Sequence, residues 1–241
     1  MNNPADTAEA HHQWKTLYHV MQNSGAKISL IEPVEGLPDM VFTANAGLVC
    51  KDKVILGHFK HRERQGEEKH YAKWFSDQGY NCYRLPDGIS FEGEGDTVFY
   101  KDTLLLGHGF RTDMASHPRI GDITGRGYKS LRLIDPHFYH LDTCLLFIEE
   151  IDLLLYYPGA FHPESVKDIE GLPSKILKLP EEDAKLFVCN SICIGMNLLL
   201  HKCTDALLTK LKEYGLNIIS SDISEFIKSG GSVRCMVLHL S

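Results

Sequence analysis

The sequence predicts an α/β ring of five repeated units, each built from short strands and a following helix. Three observations predict it: a strand-turn-strand pattern that recurs, a nearly constant spacing between its copies, and helix-like segments lying between them. In the first copy, residues 39–49 read as a strand, Lys51-Asp52-Lys53 as a turn and Val54-Ile55-Leu56-Gly57-His58 as a second strand. Gly95-Asp96-Thr97-Val98-Phe99-Tyr100 repeats the first part, and Leu104-Leu105-Leu106-Gly107-His108 follows its turn. Weaker copies begin at His140-Leu141-Asp142-Thr143, at Val188-Cys189-Asn190-Ser191 and at the terminal Gly230-Gly231-Ser232-Val233-Arg234-Cys235 stretch, read as a strand. With Asp39, Asp96, Asp142, Cys189 and Cys235 as equivalent marks, the separations are 57, 46, 47 and 46 residues. Such a period signals a repeat architecture. Units too small to fold alone bury their strands by packing side by side, which puts strands inside and helices outside.

The elements follow in chain order. Residues 6–24 carry Trp14, Leu17, Tyr18 and Met21 at helical spacing, with Gly25 as the stop. Residues 28–31 form a short apolar run that predicts a strand, and residues 32–38 a turn-rich connection. Residues 61–78, with Tyr71, Trp74 and Phe75 on one side and Gly79 after them, predict the first crossover helix. Residues 141–157 are apolar but broken by Asp142, Glu149, Glu150 and Asp152, so they predict two strands and a turn. Residues 204–214 start at Thr204 as N-cap, carry Leu207, Leu208 and Leu211, and stop at Gly215.

Composition bounds the function. A chain of 241 residues with 43% hydrophobic content fits one domain over 1–241. Its formal net charge of -7 argues against a nucleic-acid partner and suits a small cationic ligand. No basic-then-apolar leader and no run long enough to span a bilayer is visible, which argues against a membrane. The cysteines are odd in number and irregularly spaced, predicting reduced thiols in a cytoplasm. The composition is compatible with a homo-oligomer.

A ring has an axis, and equivalent ends of equivalent strands meet there. Asn45, the Glu92 to Asp96 turn, His140 with Asp142, and Cys235 occupy such ends. A lone histidine on a strand is more often a satisfied structural group, and acidic residues among glycines usually cap or turn. Convergence changes that reading: a thiol, an imidazole and several carboxylates around one axis suit nucleophilic catalysis on a cation. The paired glycines before Cys235 allow positive φ and close approach of a ligand.

Phe42-Thr43-Ala44-Asn45-Ala46-Gly47, Arg64-Gln65-Gly66-Glu67, Phe91-Glu92-Gly93-Glu94-Gly95-Asp96, Gly109-Phe110-Arg111-Thr112-Asp113, His140-Leu141-Asp142-Thr143 and Gly230-Gly231-Ser232-Val233-Arg234-Cys235-Met236 resemble the guanidine-modifying enzymes of the pentein superfamily. Arginine deiminases, dimethylarginine dimethylaminohydrolases and amidinotransferases belong to that group, and the sequence is most similar to its arginine dihydrolase branch. The resemblance implies a five-bladed α/β propeller. It also implies Cys235 as nucleophile, His140 as general acid/base and Glu92 as the carboxylate holding the histidine, with Glu94 a rival for that place. Asp142 and Asn45 resemble groups that face the substrate guanidinium, Arg64 and Arg111 groups that receive its carboxylate, and Asn3 a further residue of the site.

A guanidinium carbon resists attack until the cation is held and its leaving nitrogen is protonated, which is what carboxylates and an acid/base beside a thiolate supply. The resemblance implies hydrolysis of arginine to ornithine, carbon dioxide and two ammonia molecules through a cysteine amidino-thioether. No cofactor or metal is expected: His58, His61, His108, His137, Cys189, Cys193 and Cys203 fit no ordinary zinc spacing. A deiminase, a dimethylaminohydrolase or an amidinotransferase is the alternative enzyme. A propeller that only binds, as a ribosome-associated anti-association factor does, is the alternative outside catalysis.

Overall fold

In the computed structural model, residues 5–240 are described. The strand-turn-strand-helix-strand unit occurs four times. Its first copy is β1 (Gly47–Cys50), β2 (Lys53–Leu56), helices α2 (Arg62–Gln65) and α3 (Glu68–Asp77), and β3 (Asn81–Tyr83), preceded by the N-terminal helix α1 (Thr7–Asn23). The second is β4 (Thr97–Tyr100), β5 (Thr103–His108), α4 (His117–Thr124) and β6 (Gly127–Arg132). The third is β7 (Leu145–Ile148), β8 (Leu153–Tyr156), α5 (Pro163–Glu170) and β9 (Lys175–Lys178). After α6 (Glu181–Lys185) comes the fourth, β10 (Ile192–Ile194), β11 (Asn197–Leu200), α7 (Asp205–Glu213) and β12 (Asn217–Ser220), and then α8 (Ser224–Ile227). In each sheet the first two strands pair antiparallel and the third adds parallel to the second. A parallel neighbour needs a crossover, and the helix provides it.

The core lies between successive sheets. Ile55 packs with Leu104 and Leu106 of the second sheet, Leu105 with Leu145 and Leu154 of the third, and Leu153 and Leu155 with Leu198 and Leu200 of the fourth. The middle strand of each sheet is therefore buried on both faces. That explains why these strands read as continuous apolar runs without alternation. The fourth sheet meets α1 and the Cys235 segment, and Leu238 and Leu240 pack back onto the first unit.

The strands are shorter than the sequence pattern predicts. Residues 39–46 form the 3₁₀ turns Pro38–Val41 and Thr43–Ala46, so β1 begins only at Gly47. Gly93–Asp96 and Leu141–Thr143 are likewise 3₁₀ turns before β4 and β7. The terminal stretch is also no strand among the described residues: Arg234–Met236 is a 3₁₀ turn, so the structure holds four three-stranded sheets and a fifth, unpaired segment. Residues 28–31, expected to be a strand, are irregular. The expected helix over residues 61–78 breaks at Gly66, and that over residues 204–214 is α7, where the Thr204 hydroxyl accepts from the Leu207 N–H at 3.3 Å.

These pre-strand segments touch in cyclic order. Asn45 Nδ2 donates to the Glu92 carbonyl at 3.1 Å, the Leu141 N–H to Asp96 Oδ1 at 3.0 Å, and Asn190 Nδ2 to the Asp142 carbonyl at 3.4 Å. The Cys235 N–H donates to Asn190 Oδ1 at 3.1 Å, and Thr43 Oγ1 to the Met236 carbonyl at 2.9 Å, which returns to the first unit.

Candidate active site

A pocket opens where those turns meet. Asp39, Phe42, Asn45, Arg64, Arg111, Tyr139, His140, Ser229, Gly231 and Cys235 line it. Cys235 sits at the centre of its 3₁₀ turn with its N–H fixed by Asn190, and its Sγ lies 3.8 Å from Asp142 Oδ2. Burial, then the Asp142 charge, pushes the thiol far above its ordinary range; Arg234 and Asn190 oppose this only in part. These surroundings favour the protonated thiol over the thiolate.

Asp142 is buried, and its Oδ1 has no hydrogen-bond partner among the described residues. Burial raises its pKa to about 6 against the pull of His140 and Arg234. A carboxylate oxygen left unpaired in a protein interior is costly unless something else occupies it. A planar cation with two N–H groups would do so, and its charge would draw both Asp142 and Cys235 toward their ionised forms.

His140 is held from behind. Its Nε2 donates to Glu92 Oε2 at 2.8 Å, both groups being almost fully buried. Burial alone would raise the Glu92 pKa, but the His140 hydrogen bond and charge, with Arg111 and Arg64, bring it down to about 2. For His140 burial works the other way, and the carboxylates of Asp96, Glu92 and Asp142 outweigh it, leaving the imidazole above its ordinary value. An ionised Glu92 fixes the tautomer with the proton on Nε2, so Nδ1 is the nitrogen free for proton transfer.

Glu92 and Glu94 part company here. Glu94 turns the other way and pairs with Arg234 and with the His239 N–H, 3.2 Å away. It braces the turn that carries Cys235, whereas Glu92 alone meets the histidine. Gly95, between the acidic residues, packs so closely that a Cβ there would fall 2.3 Å from Asn45 Nδ2.

The arginines also differ. Arg64 is buried, its Nε and NH2 donating to Glu67 at 3.0 and 2.8 Å and its NH1 to Asn45 Oδ1 at 2.7 Å. NH2 also reaches the Asp39 carbonyl at 3.0 Å, which leaves one of its five N–H groups uncommitted. Arg111 is partly buried, lies over the Tyr139 ring at 4.6 Å and touches Glu92 Oε2 at 3.2 Å through NH1 alone. Arg111 also lines the pocket. Asn3 lies outside the described residues.

The glycine pair before Cys235 takes the expected positive φ at Gly230 and brings Gly231 to the pocket wall. Gly230 has φ +84 and its carbonyl accepts from the Tyr139 hydroxyl at 2.8 Å, while a Cβ on Gly231 would fall 2.2 Å from Phe42 Cε1. Phe42 packs closely against Gly231, and Gly231 also lines the pocket. The sequence reading named as site residues neither Asn190, which links Asp142 to Cys235, nor the pocket-lining Tyr139 and Asp39, the last of which served only as a repeat mark. Asn190 did carry a signal, since it sits one residue after the Cys189 repeat mark.

Comparisons with known proteins bear on this arrangement. A family model described as N,N dimethylarginine dimethylhydrolase, eukaryotic, matches residues 1–241. A bifunctional arginine dihydrolase/ornithine cyclodeaminase from Nostoc is 41% identical over 233 residues, 95% of this chain and 33% of that protein, so the chain spans about a third of that relative. An N(G),N(G)-dimethylarginine dimethylaminohydrolase from Mycobacterium tuberculosis is 35% identical over 237 residues, 98% of this chain and 78% of the relative. Among solved structures, the product-bound N-terminal domain of a cyanobacterial arginine dihydrolase superposes with a TM-score of 0.95 at 39% identity, covering 98% of this chain and 88% of that one. With its whole length matched, the chain belongs to the dimethylarginine dimethylaminohydrolase family of the pentein superfamily.

Proposed function

We propose that the chain hydrolyses the guanidino group of arginine, and that it does so twice, yielding ornithine, carbon dioxide and two ammonia molecules. The observation that carries this reading is the buried Asp142 carboxylate, with Oδ2 3.8 Å from Cys235 Sγ and Oδ1 unpaired among the described residues, next to a pocket lined by Cys235 and by His140 of the His140–Glu92 pair. The guanidinium binds Asp142, and its charge favours the Cys235 thiolate. Sulfur attacks the guanidino carbon, His140 Nδ1 protonates the departing nitrogen, and ammonia leaves an amidino-thioether. Water, deprotonated at Nδ1, attacks that carbon; the C–S bond breaks and citrulline forms. A second attack on the ureido carbon expels another ammonia and leaves a thiocarbamate, whose hydrolysis gives a carbamic acid that loses carbon dioxide to ornithine. The two rounds consume two waters per arginine. Asn45 supports the second round: an aspartate there would repel the ureido oxygen, whereas an amide both donates and accepts. Arg111 is read as the principal receiver of the substrate carboxylate, with Arg64 contributing its one uncommitted N–H.

The same reading takes the four sheets and the terminal turn as five blades of one propeller around this pocket, a single catalytic domain over residues 1–241. The cyclic hydrogen bonds from Asn45 to Thr43 support it. All seven cysteines are unpaired, in keeping with work in a reducing cytoplasm.

Incubation with arginine, counting ornithine against citrulline, tests the reaction. Cys235→Ser should keep the fold and lose turnover, and acid quench with a slow substrate should leave an amidino mass on Cys235. Near wild-type turnover in Cys235→Ser, or an adduct on another cysteine, would overturn the assignment. The family match and the mycobacterial relative favour a second reading, release of dimethylamine from dimethylarginine. Dimethylamine from that substrate with arginine untouched would establish it instead.

A further inference from the structure

Among the described residues, Asn45 is the one side-chain amide in the pocket lining, and that amide is not free to turn. Arg64 NH1 can only donate, so the amide atom 2.7 Å from it is the oxygen. The Glu92 carbonyl can only accept, so the amide atom 3.1 Å from it is the nitrogen. The two contacts agree on one orientation, and the reverse would set two donors and two acceptors against each other. One lone pair of Oδ1 and one hydrogen of Nδ2 remain. The locked amide therefore offers an acceptor and a donor at fixed places on the wall it shares with Cys235.

What fixes Arg64 is Glu67. Its two oxygens accept from Nε and NH2 of the same guanidinium at 3.0 and 2.8 Å, the fork geometry that leaves an arginine no rotational freedom. Glu67 is itself buried, 1% exposed, does not line the pocket, and its hydrogen bonds to the pocket lining run to Arg64, whose carbonyl also accepts from the Glu67 N–H at 2.9 Å. It also balances the Arg64 charge. With that pair neutral, a neutral residue at position 45 completes the wall; without Glu67, a buried cation would face Asn45 alone.

We propose that Glu67 is a positioning residue that decides product: through Arg64 it locks the Asn45 amide in the orientation that keeps the ureido intermediate in place for the second attack by Cys235. This rests on the two-step reading above. Arginine, a cation gripped by Asp142, depends on the lock less than citrulline, whose neutral ureido group has no charge for Asp142 to hold and relies on matched hydrogen bonds. Loosening the lock therefore lets citrulline escape between rounds while the first hydrolysis continues.

The test is product partition. Glu67→Gln, nearly isosteric, removes the charge and one acceptor, and the citrulline share of product should rise about 5-fold or more with a smaller fall in arginine consumption. Glu67→Asp, which keeps the charge, should restore part of the ornithine share. In an Asn45→Ala background Glu67→Gln should change the share no further, since the effect runs through that amide. Should Glu67→Gln fail to fold, Arg64→Lys, which keeps the charge and loses the fork, reads the same quantity. An unchanged citrulline share in a folded variant, or an equal loss of both hydrolyses, would show a merely structural role and overturn the proposal. Citrulline as the sole product of the wild-type chain would overturn the two-step reading itself, and the proposal with it.

Discussion

Asp142 illustrates how a single residue trades stability for chemistry. Its carboxyl ionises near 3.9 in an unfolded chain, as a rough reference, but at about 6 in the folded one. The folded state thus holds the proton more tightly. That contribution is fully present below the unfolded value and is lost as pH rises through about 6, so at neutral pH the charged, unpaired side chain weighs against folding. Asp142→Asn should therefore be more stable at pH 8 by on the order of 2–3 kcal/mol, seen as a higher thermal midpoint, while the two proteins converge toward pH 4. The same variant should lose arginine turnover by roughly 100-fold or more, as expected for removal of charge-assisted hydrogen bonds. In the wild-type protein kcat/KM for arginine should fall as pH drops through about 6, where Asp142 takes up its proton. Glu92, ionised down to about 2, contributes nothing to that limb. A limb absent in the wild type, or a midpoint unmoved in the variant, would contradict the burial argument. Glu92 and Glu94 also mark the limit of sequence reading: both are acidic, both sit among glycines, and only the direction of the turn puts one on His140 and the other on Arg234.

At the scale of elements, the repeat was legible because each middle strand must be apolar on both faces and each crossover helix needs its own start and stop. Val54-Ile55-Leu56, Leu104-Leu105-Leu106 and Leu153-Leu154-Leu155 announce the first, Thr204 and Gly215 the second. The 3₁₀ turns were not legible. Met40, Val41 and Phe42 are apolar because they line the core and the pocket, and a run of three or four residues has no period by which to tell a turn from a strand. Nor could composition show that the stretch around Cys235 ends as an unpaired segment, since the same apolar residues serve packing on α1 and the first sheet. The Thr204 cap makes an element-level prediction. Its N–H and hydroxyl both reach the buried Asp183 carboxylate, at 2.8 and 3.0 Å, besides capping α7. Thr204→Ala should lower stability by about 1–2 kcal/mol, seen as a lower urea midpoint at unchanged slope, with arginine kinetics preserved. A shift below a few tenths of a kcal/mol would mean that the cap is solvated rather than structural.

For the molecule as a whole, what matters is that the site and the joints between units are the same residues. Asn45, Glu92, Asp96, Asp142, Asn190 and Cys235 either belong to the pocket or hold a neighbour that does, and they also supply the links from each unit to the next. Those links join residues 45 to 48 positions apart, and the closing one, from Thr43 to Met236, spans 193. A chain whose joints are this non-local gains nothing from forming one unit alone, because each sheet leaves an apolar face exposed until its neighbours arrive. The protein should therefore unfold in one transition, with tryptophan fluorescence, far-UV circular dichroism and activity losing signal together. Asn190→Ala tests the coupling directly. It removes a donor to the Asp142 carbonyl and an acceptor from the Cys235 N–H, both buried, so it should destabilise the fold by about 2–4 kcal/mol and, in the surviving folded fraction, slow amidino-adduct formation on Cys235. Loss of stability with the adduct rate intact would separate the joint from the site, and separate transitions by the different probes would show that the units stand on their own.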